Sequence, residues 1–151
     1  MACAKLLEYL DEHRVKYVSL KHSPAFTAQE LAAATHIPGR EVAKTVVVKL
    51  DGTMVLVVLP APERIRMNHL KVETGADEVE LASENEFKGR FPDCEVGAMP
   101  PFGNLFEMRT LVQESLTEDE EIAFNAGSHT ELIRMAYRDF AELVRPEVVG
   151  G

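Results

Sequence analysis

The sequence predicts an α/β chain, strands interleaved with helices in a single domain over residues 1–151, and three observations carry that prediction. Glu41 to Leu59 reads as a β-hairpin, because two runs of β-branched and aliphatic residues flank Asp51-Gly52, the dipeptide that best tolerates the positive φ angles of a tight turn. Helical patterns open the chain at residues 3–14 and close it at Tyr137 to Val144. Short alternating runs lie between, separated by Pro, Gly or acidic turn residues, with no repeat and no linker long enough to divide domains.

Residues 3–14 place Leu6, Leu7 and Leu10 at helical spacing with charges opposite. Val15 to His22 alternates and predicts a short strand. Thr27 and Glu30 have the capping-box spacing and start a helix through Thr35, which Ile37-Pro38-Gly39 stops. In the hairpin, period-2 alternation puts Val42, Lys44, Val46 and Val48 on one face and Ala43, Thr45, Val47 and Lys49 on the other. Pro60-Ala61-Pro62 ends it. Arg64, Arg66, His69 and Lys71 follow as the densest basic cluster, around a short helix beginning near Asn68. Val79 to Ala82 predicts a strand, and Ser83 to Glu86 a second capping box on a helix ending near Gly89. Residues 92–104 form a loop rich in Pro and Gly. Strands are expected at Leu111 to Leu116, Glu121 to Asn125 and Glu131 to Met135, with turns at 117–119 and Gly127-Ser128. Pro146 to Gly151 is expected to be a frayed, flexible tail.

Composition excludes several classes. With 46% hydrophobic and 27% charged residues the chain matches ordinary globular proteins, and no apolar run approaches a membrane span. No basic-then-apolar leader opens it, so a cytoplasmic location is the expectation. Cys3 and Cys94 form no CxxC, which argues against a disulfide framework and a zinc site; no metal and no cofactor are expected. A net charge of −9 works against bulk capture of nucleic acid, so any such partner needs a local basic patch.

Three places stand out chemically. Lys44 shares a strand face with three valines, where an ammonium must snorkel, pair with a carboxylate or face a cleft awaiting an anion. The loop Gly97 to Gly103, GAMPPFG, and Gly127-Ser128-His129 are the others. None is a phosphate-binding or dinucleotide-binding glycine motif, and no GxSxG or HExxH occurs. Cys94 and His129 could supply a nucleophile and base, although Asp93 and Glu95 disfavour a thiolate.

Four segments in order, HSPAFTAQELA (His22 to Ala32), REVAKTVVVK (Arg40 to Lys49), GAMPPFG and FNAGSHTELIRM (Phe124 to Met135), resemble the YbaK/prolyl-tRNA synthetase-associated domain family of aminoacyl-tRNA deacylases. The resemblance spans residues 3–144. It implies an α+β fold with a mixed, largely antiparallel sheet surrounded by helices. It also implies hydrolysis of the ester joining a wrong amino acid to the tRNA 3′-terminal ribose, with mischarged tRNA as substrate, an aminoacyl-tRNA synthetase as an allied partner and the substrate's own 2′-hydroxyl assisting. Carried over residue by residue, the catalytic set is Lys44, Gly97, Pro101 and His129. The substrate-binding set is His22, Phe26, Thr27, Ala98, Met99, Gly103, Gly127 and Ser128, and bulky Phe26 and Met99 favour a small amino acid such as Ala or Ser. Lys49, Arg64, Arg66 and Lys71 are the expected tRNA contacts. Two other readings stand beside this one: a non-catalytic tRNA- or synthetase-binding module of the same fold, and a cysteine hydrolase built on Cys94.

Overall fold

A computed structural model describes residues 3–24 and 28–150, apart from the side chains of 28, 29 and 32. Phe26 and Thr27, and with Thr27 the first capping box, lie outside the described residues. Among the described residues, eight strands form two sheets. The five-stranded sheet has the order β4 (Val79–Leu81), β2 (Ala43–Leu50), β3 (Thr53–Pro60), β5 (Thr110–Gln113), β8 (Glu147–Val149). The three-stranded sheet has the order β1 (Tyr17–Lys21), β7 (Glu131–Ala136), β6 (Glu121–Ser128). Only β3–β5 and β5–β8 pair in parallel, so the arrangement is mixed and largely antiparallel, as expected. A bridge between Val42 and Ala123 links the sheets. Helix α1 (Ala4–Glu12) precedes the first strand, and α2 (Ala28–Thr35), α3 (Met67–Thr74), α4 (Glu84–Phe87) and α5 (Tyr137–Val144) lie between strands in the chain.

The hairpin forms as the sequence requires, with Asp51 and Gly52 both at positive φ. Its alternation divides the interior: Ala43 and Val47 join one apolar cluster with Leu6, Leu10, Phe102 and Phe140, while Val46 and Val48 pack into another with Val57, Leu59 and Leu70. The Ser83–Glu86 capping box is present in both directions.

Three expectations fail at strand ends. The strand expected at 111–116 stops at Gln113, and Glu114–Glu118 tightens into a 3-10 turn in which the Thr117 hydroxyl donates to the Glu114 carbonyl at 2.6 Å. Such local side-chain bonds compete with a ladder. The turn placed at Gly127-Ser128 comes later, because β6 runs through a bulge between Asn125 and Ser128 before reversing. The tail is not frayed. Glu147–Val149 add a strand beside β5, Val149 is buried, and Arg109 donates to both Glu147 carboxylate oxygens at 2.8 Å. Two β-branched residues beside an open strand edge explain the pairing, which a reading by local composition misses.

Candidate active site

The site forms where a strand edge is left open. β4 pairs with β2 only at Val48 to Leu50, so the outer edge of Ala43 to Val46 has no partner strand among the described residues. A cavity of about 180 Å³ occupies that edge, lined by Leu31, Val42 to Val46, Gly97, Met99 and Asn125. It brings together Lys44, Gly97 and Met99 from segments 53 to 55 residues apart.

Lys44 has no hydrogen bond or ion pair among the described residues, although Glu63 and Arg64 lie near enough to act on its charge. Burial pushes its ammonium below the ordinary lysine value, Arg64 pushes the same way and Glu63 opposes them. A half-buried cation without a partner is costly to keep unless something anionic meets it.

The opposite wall is a loop laced to the β6 bulge. The Glu95 N–H donates to the Gly127 carbonyl (2.8 Å), the Gly127 N–H to the Ala98 carbonyl (2.9 Å) and the His129 N–H to the Glu95 carboxylate (2.7 Å). His129 Nε2 lies 2.8 Å from the Val96 carbonyl, an acceptor only, so that nitrogen carries the proton. Its ring sits under Gly97, where an added Cβ would lie 3.4 Å from Cε1 at a φ of +85°. His129 therefore clamps the loop from behind Gly97, and it is not among the described residues that line the cavity. Gly97 donates its N–H to the Met99 thioether at 3.2 Å, a weak acceptor that a better one can displace. Gly127 permits close approach: at φ +101° an added Cβ would fall 2.8 Å from the Cys3 Cβ.

Other expected residues have different positions. Pro101, within the loop, is buried, and Ala98 is fully buried. Gly103 packs within the fold, where a Cβ would meet Thr110 Oγ1 and the Met108 carbonyl, and it does not line the cavity. Ser128 bonds its neighbour Thr130, and the His22 N–H donates to the Thr130 carbonyl at 2.9 Å. His22 Nδ1–H meets the Ser23 carbonyl at 2.7 Å, leaving Nε2 buried and without a partner among the described residues. Lys49 is held by Glu86 at 2.7 Å and Glu80 at 3.6 Å, and that pairing lowers the Glu86 carboxyl to about 2. Arg64 and Arg66 line a cleft of about 850 Å³ with Glu63, Glu114 and Glu118, and Lys71 is exposed on α3 outside it.

Two findings bear on the nucleophile. The Cys94 thiol is pushed up to about 12, first by burial, then by the adjoining Cys3 thiol and by Asp93, so it stays protonated near neutral pH. Asn125, which sequence reasoning missed, lines the cavity, and its Oδ1 is buried without a hydrogen-bond partner among the described residues. The only signal for it was a carboxamide inside an apolar strand. Among the described residues no three His, Cys, Asp or Glu side chains are grouped to hold a metal, and no helix is long and apolar enough to cross a membrane.

A model of the aminoacyl-tRNA editing domain matches residues 22–143. A multifunctional Ser/Thr-tRNA deacylase, ProXp-y, of Escherichia coli (strain K12) is 30% identical over 112 residues, 71% of this chain and 66% of that protein; this chain thus spans a little under two thirds of its relative's length. The proline–tRNA ligase of Staphylococcus saprophyticus is 40% identical over 60 residues, 40% of this chain and 11% of the ligase. Among solved structures, a hypothetical protein superposes with a TM-score of 0.83 at 26% identity, covering 95% of this chain and 96% of its own. A candidate trans-editing enzyme for prolyl-tRNA synthetase gives 0.80 at 20% identity over 97% and 93%, a likeness of fold.

Proposed function

The chain belongs to the aminoacyl-tRNA editing domain family, and from that premise we propose that it hydrolyses the ester of mischarged tRNA, releasing a small amino acid. The observation that carries this reading is the cavity of about 180 Å³ with unpaired Lys44 at its edge. Its volume suits a short aminoacyl group, and its cation suits the phosphate or ribose end attached to it. Arg64 beside Lys44 adds a second cation on the path from cavity to cleft.

Water is the nucleophile in this reading, because Cys94 stays protonated and His129 Nε2 is committed to Val96. Water adds to the ester carbonyl, the acyl–oxygen bond breaks, and the ribose oxygen leaves with a proton. The Gly97 N–H exchanges the Met99 sulfur for the oxyanion that develops, a stronger acceptor. Lys44 holds the substrate in place, and His129 and Glu95 keep the loop in register as positioning residues.

Asn125 supplies the selectivity. Its unpartnered carboxamide oxygen gains a donor when a hydroxylated side chain enters, which fits the Ser/Thr activity named for the E. coli relative. A site that hydrogen-bonds a hydroxyl discriminates strongly against an analogue lacking it. The match to a proline–tRNA ligase supports action alongside a synthetase. The test is hydrolysis of Ser-, Thr-, Ala-, Pro- and Val-tRNA by the wild type and Asn125→Ala. The expected order is Ser and Thr over Ala, with valine poorest, and Asn125→Ala narrows the Ser-over-Ala preference. Absence of hydrolysis across the panel would overturn the deacylase reading.

A further inference from the structure

A second cleft, of about 650 Å³, opens between the end of α1 and α5, and shares no lining residue with the cavity at Lys44 or the cleft at Arg64. Arg14, Lys16, Arg138 and Arg145 line it, with the Tyr9 and His13 rings in contact at 4.4 Å between centroids, their planes tilted by 42°. All four cations are exposed, and none has an ion pair among the described residues. Against them stand Asp139 and Glu142, so the cleft is formally +2 in a chain of −9. Arg14 and Arg145 adopt left-handed φ values of 54° and 50°, where glycine would meet no steric cost. Each follows a helix C-terminus whose partial negative charge a guanidinium offsets, but Lys16 and Arg138 have no such task.

Geometry ties this cleft to the active site. The Cys3 N–H donates to the Ala126 carbonyl, next to the Gly127 that anchors the catalytic loop, and α1 runs from there to the cleft. From Cys3 to Arg14 the helix rise gives roughly 16 Å. At about 3.4 Å per phosphate along one strand, that length corresponds to about five nucleotides.

We propose that the α1–α5 cleft binds the phosphate backbone of the tRNA acceptor limb some five nucleotides from the esterified ribose; the proposal rests on the deacylase reading. Its cations supply phosphate contacts, and the Tyr9–His13 pair offers a face on which a base or ribose can pack.

The test compares the wild type with Arg14→Glu/Arg138→Glu, and with Lys88→Glu/Arg90→Glu as a control of equal charge change outside both clefts. Each is titrated with labelled uncharged tRNA over a salt series, and each is assayed on full-length Ser-tRNA and on a seryl-trinucleotide too short to reach the cleft. The cleft variant should bind tRNA at least about tenfold more weakly, with a salt slope shallower by between one and two. It should lose efficiency on Ser-tRNA through KM and keep wild-type rates on the trinucleotide; the control should match the wild type. Unchanged affinity and slope in the cleft variant would overturn the proposal. So would equal loss on both substrates, or unchanged tRNA binding with lost binding to a synthetase. If the wild type hydrolyses neither substrate, the deacylase reading fails, and the binding titration still decides the cleft.

Discussion

Two clefts of similar size each contain arginines, yet their charge balance differs in sign. Beside Lys44, Arg64 and Arg66 share the first with Glu63, Glu114 and Glu118, and Glu63 accepts a 2.7 Å hydrogen bond from Ser115. Between α1 and α5, four unpaired cations face two carboxylates. Arg64 and Glu63 of the first cleft act on the charge of Lys44 in the cavity, so under the proposed function that cleft can position a substrate end locally. The second has the surplus needed to attract a polyanion to an acidic protein. On the proposed reading, placement of chemistry and capture of substrate are separate tasks on separate surfaces, because a carboxylate-rich wall that tunes one phosphate contact repels a run of them.

The largest effect should come from the cavity itself. Lys44→Ala is expected to lower kcat/KM by ten- to a hundredfold, from loss of about 1.5–3 kcal/mol of charge-assisted contact, without lowering the melting temperature. Its pH dependence sharpens the assignment. Because the native ammonium titrates below the ordinary 10.5, the unfolded chain binds more protons between the native value and 10.5, so in that window Lys44 adds stability as pH rises. Substrate affinity moves the opposite way, since the neutral amine no longer attracts phosphate. KM for Ser-tRNA should therefore climb on an alkaline limb beginning below 10.5, and the alanine variant should lack that limb. An alanine variant with full activity would remove Lys44 from the mechanism.

A smaller effect is expected from Arg64→Glu/Arg66→Glu. It should weaken tRNA binding severalfold, less than Arg14→Glu/Arg138→Glu does, and leave amino-acid preference unchanged, because the lost cations were already offset by three carboxylates. Binding titrations of the two variants side by side settle the comparison, and a larger loss at Arg64 and Arg66 would invert it. Smallest of all is Cys94→Ser, for which deacylation rates should stay within about twofold; a thiol held at about 12 supplies no nucleophile near neutral pH. Abolished activity would restore the cysteine to the chemistry.

Much of the fold was legible because local rules carry it. The Asp51-Gly52 hairpin, the Ser83–Glu86 box and helices α1 and α5 each depend on residues within a few positions of one another. The open question of Lys44, whether it snorkels, pairs or faces a cleft, was posed by alternation along one strand. Its resolution needed Gly97, Met99 and Asn125 from other segments. His129 stood out in the sequence, but its hold on the loop did not, since Glu95 and Val96 lie more than thirty residues away.

By itself the sequence determined the alternation of helices and strands, the hairpin register and an ordered set of motifs resembling one family, all properties of neighbours along the chain. The tertiary structure alone decided where charge gathers. Lys49 looked available until Glu80 on the paired strand and Glu86 on α4 reached it, and Arg64 and Arg66 looked basic until Glu114 and Glu118 joined their cleft. Arg14 and Lys16 at one end of the chain met Arg138 and Arg145 near the other, and no count of local charge predicts that meeting. The reason is physical: electrostatic potential sums over distance in space, and folding brings together charges that the sequence keeps more than a hundred residues apart.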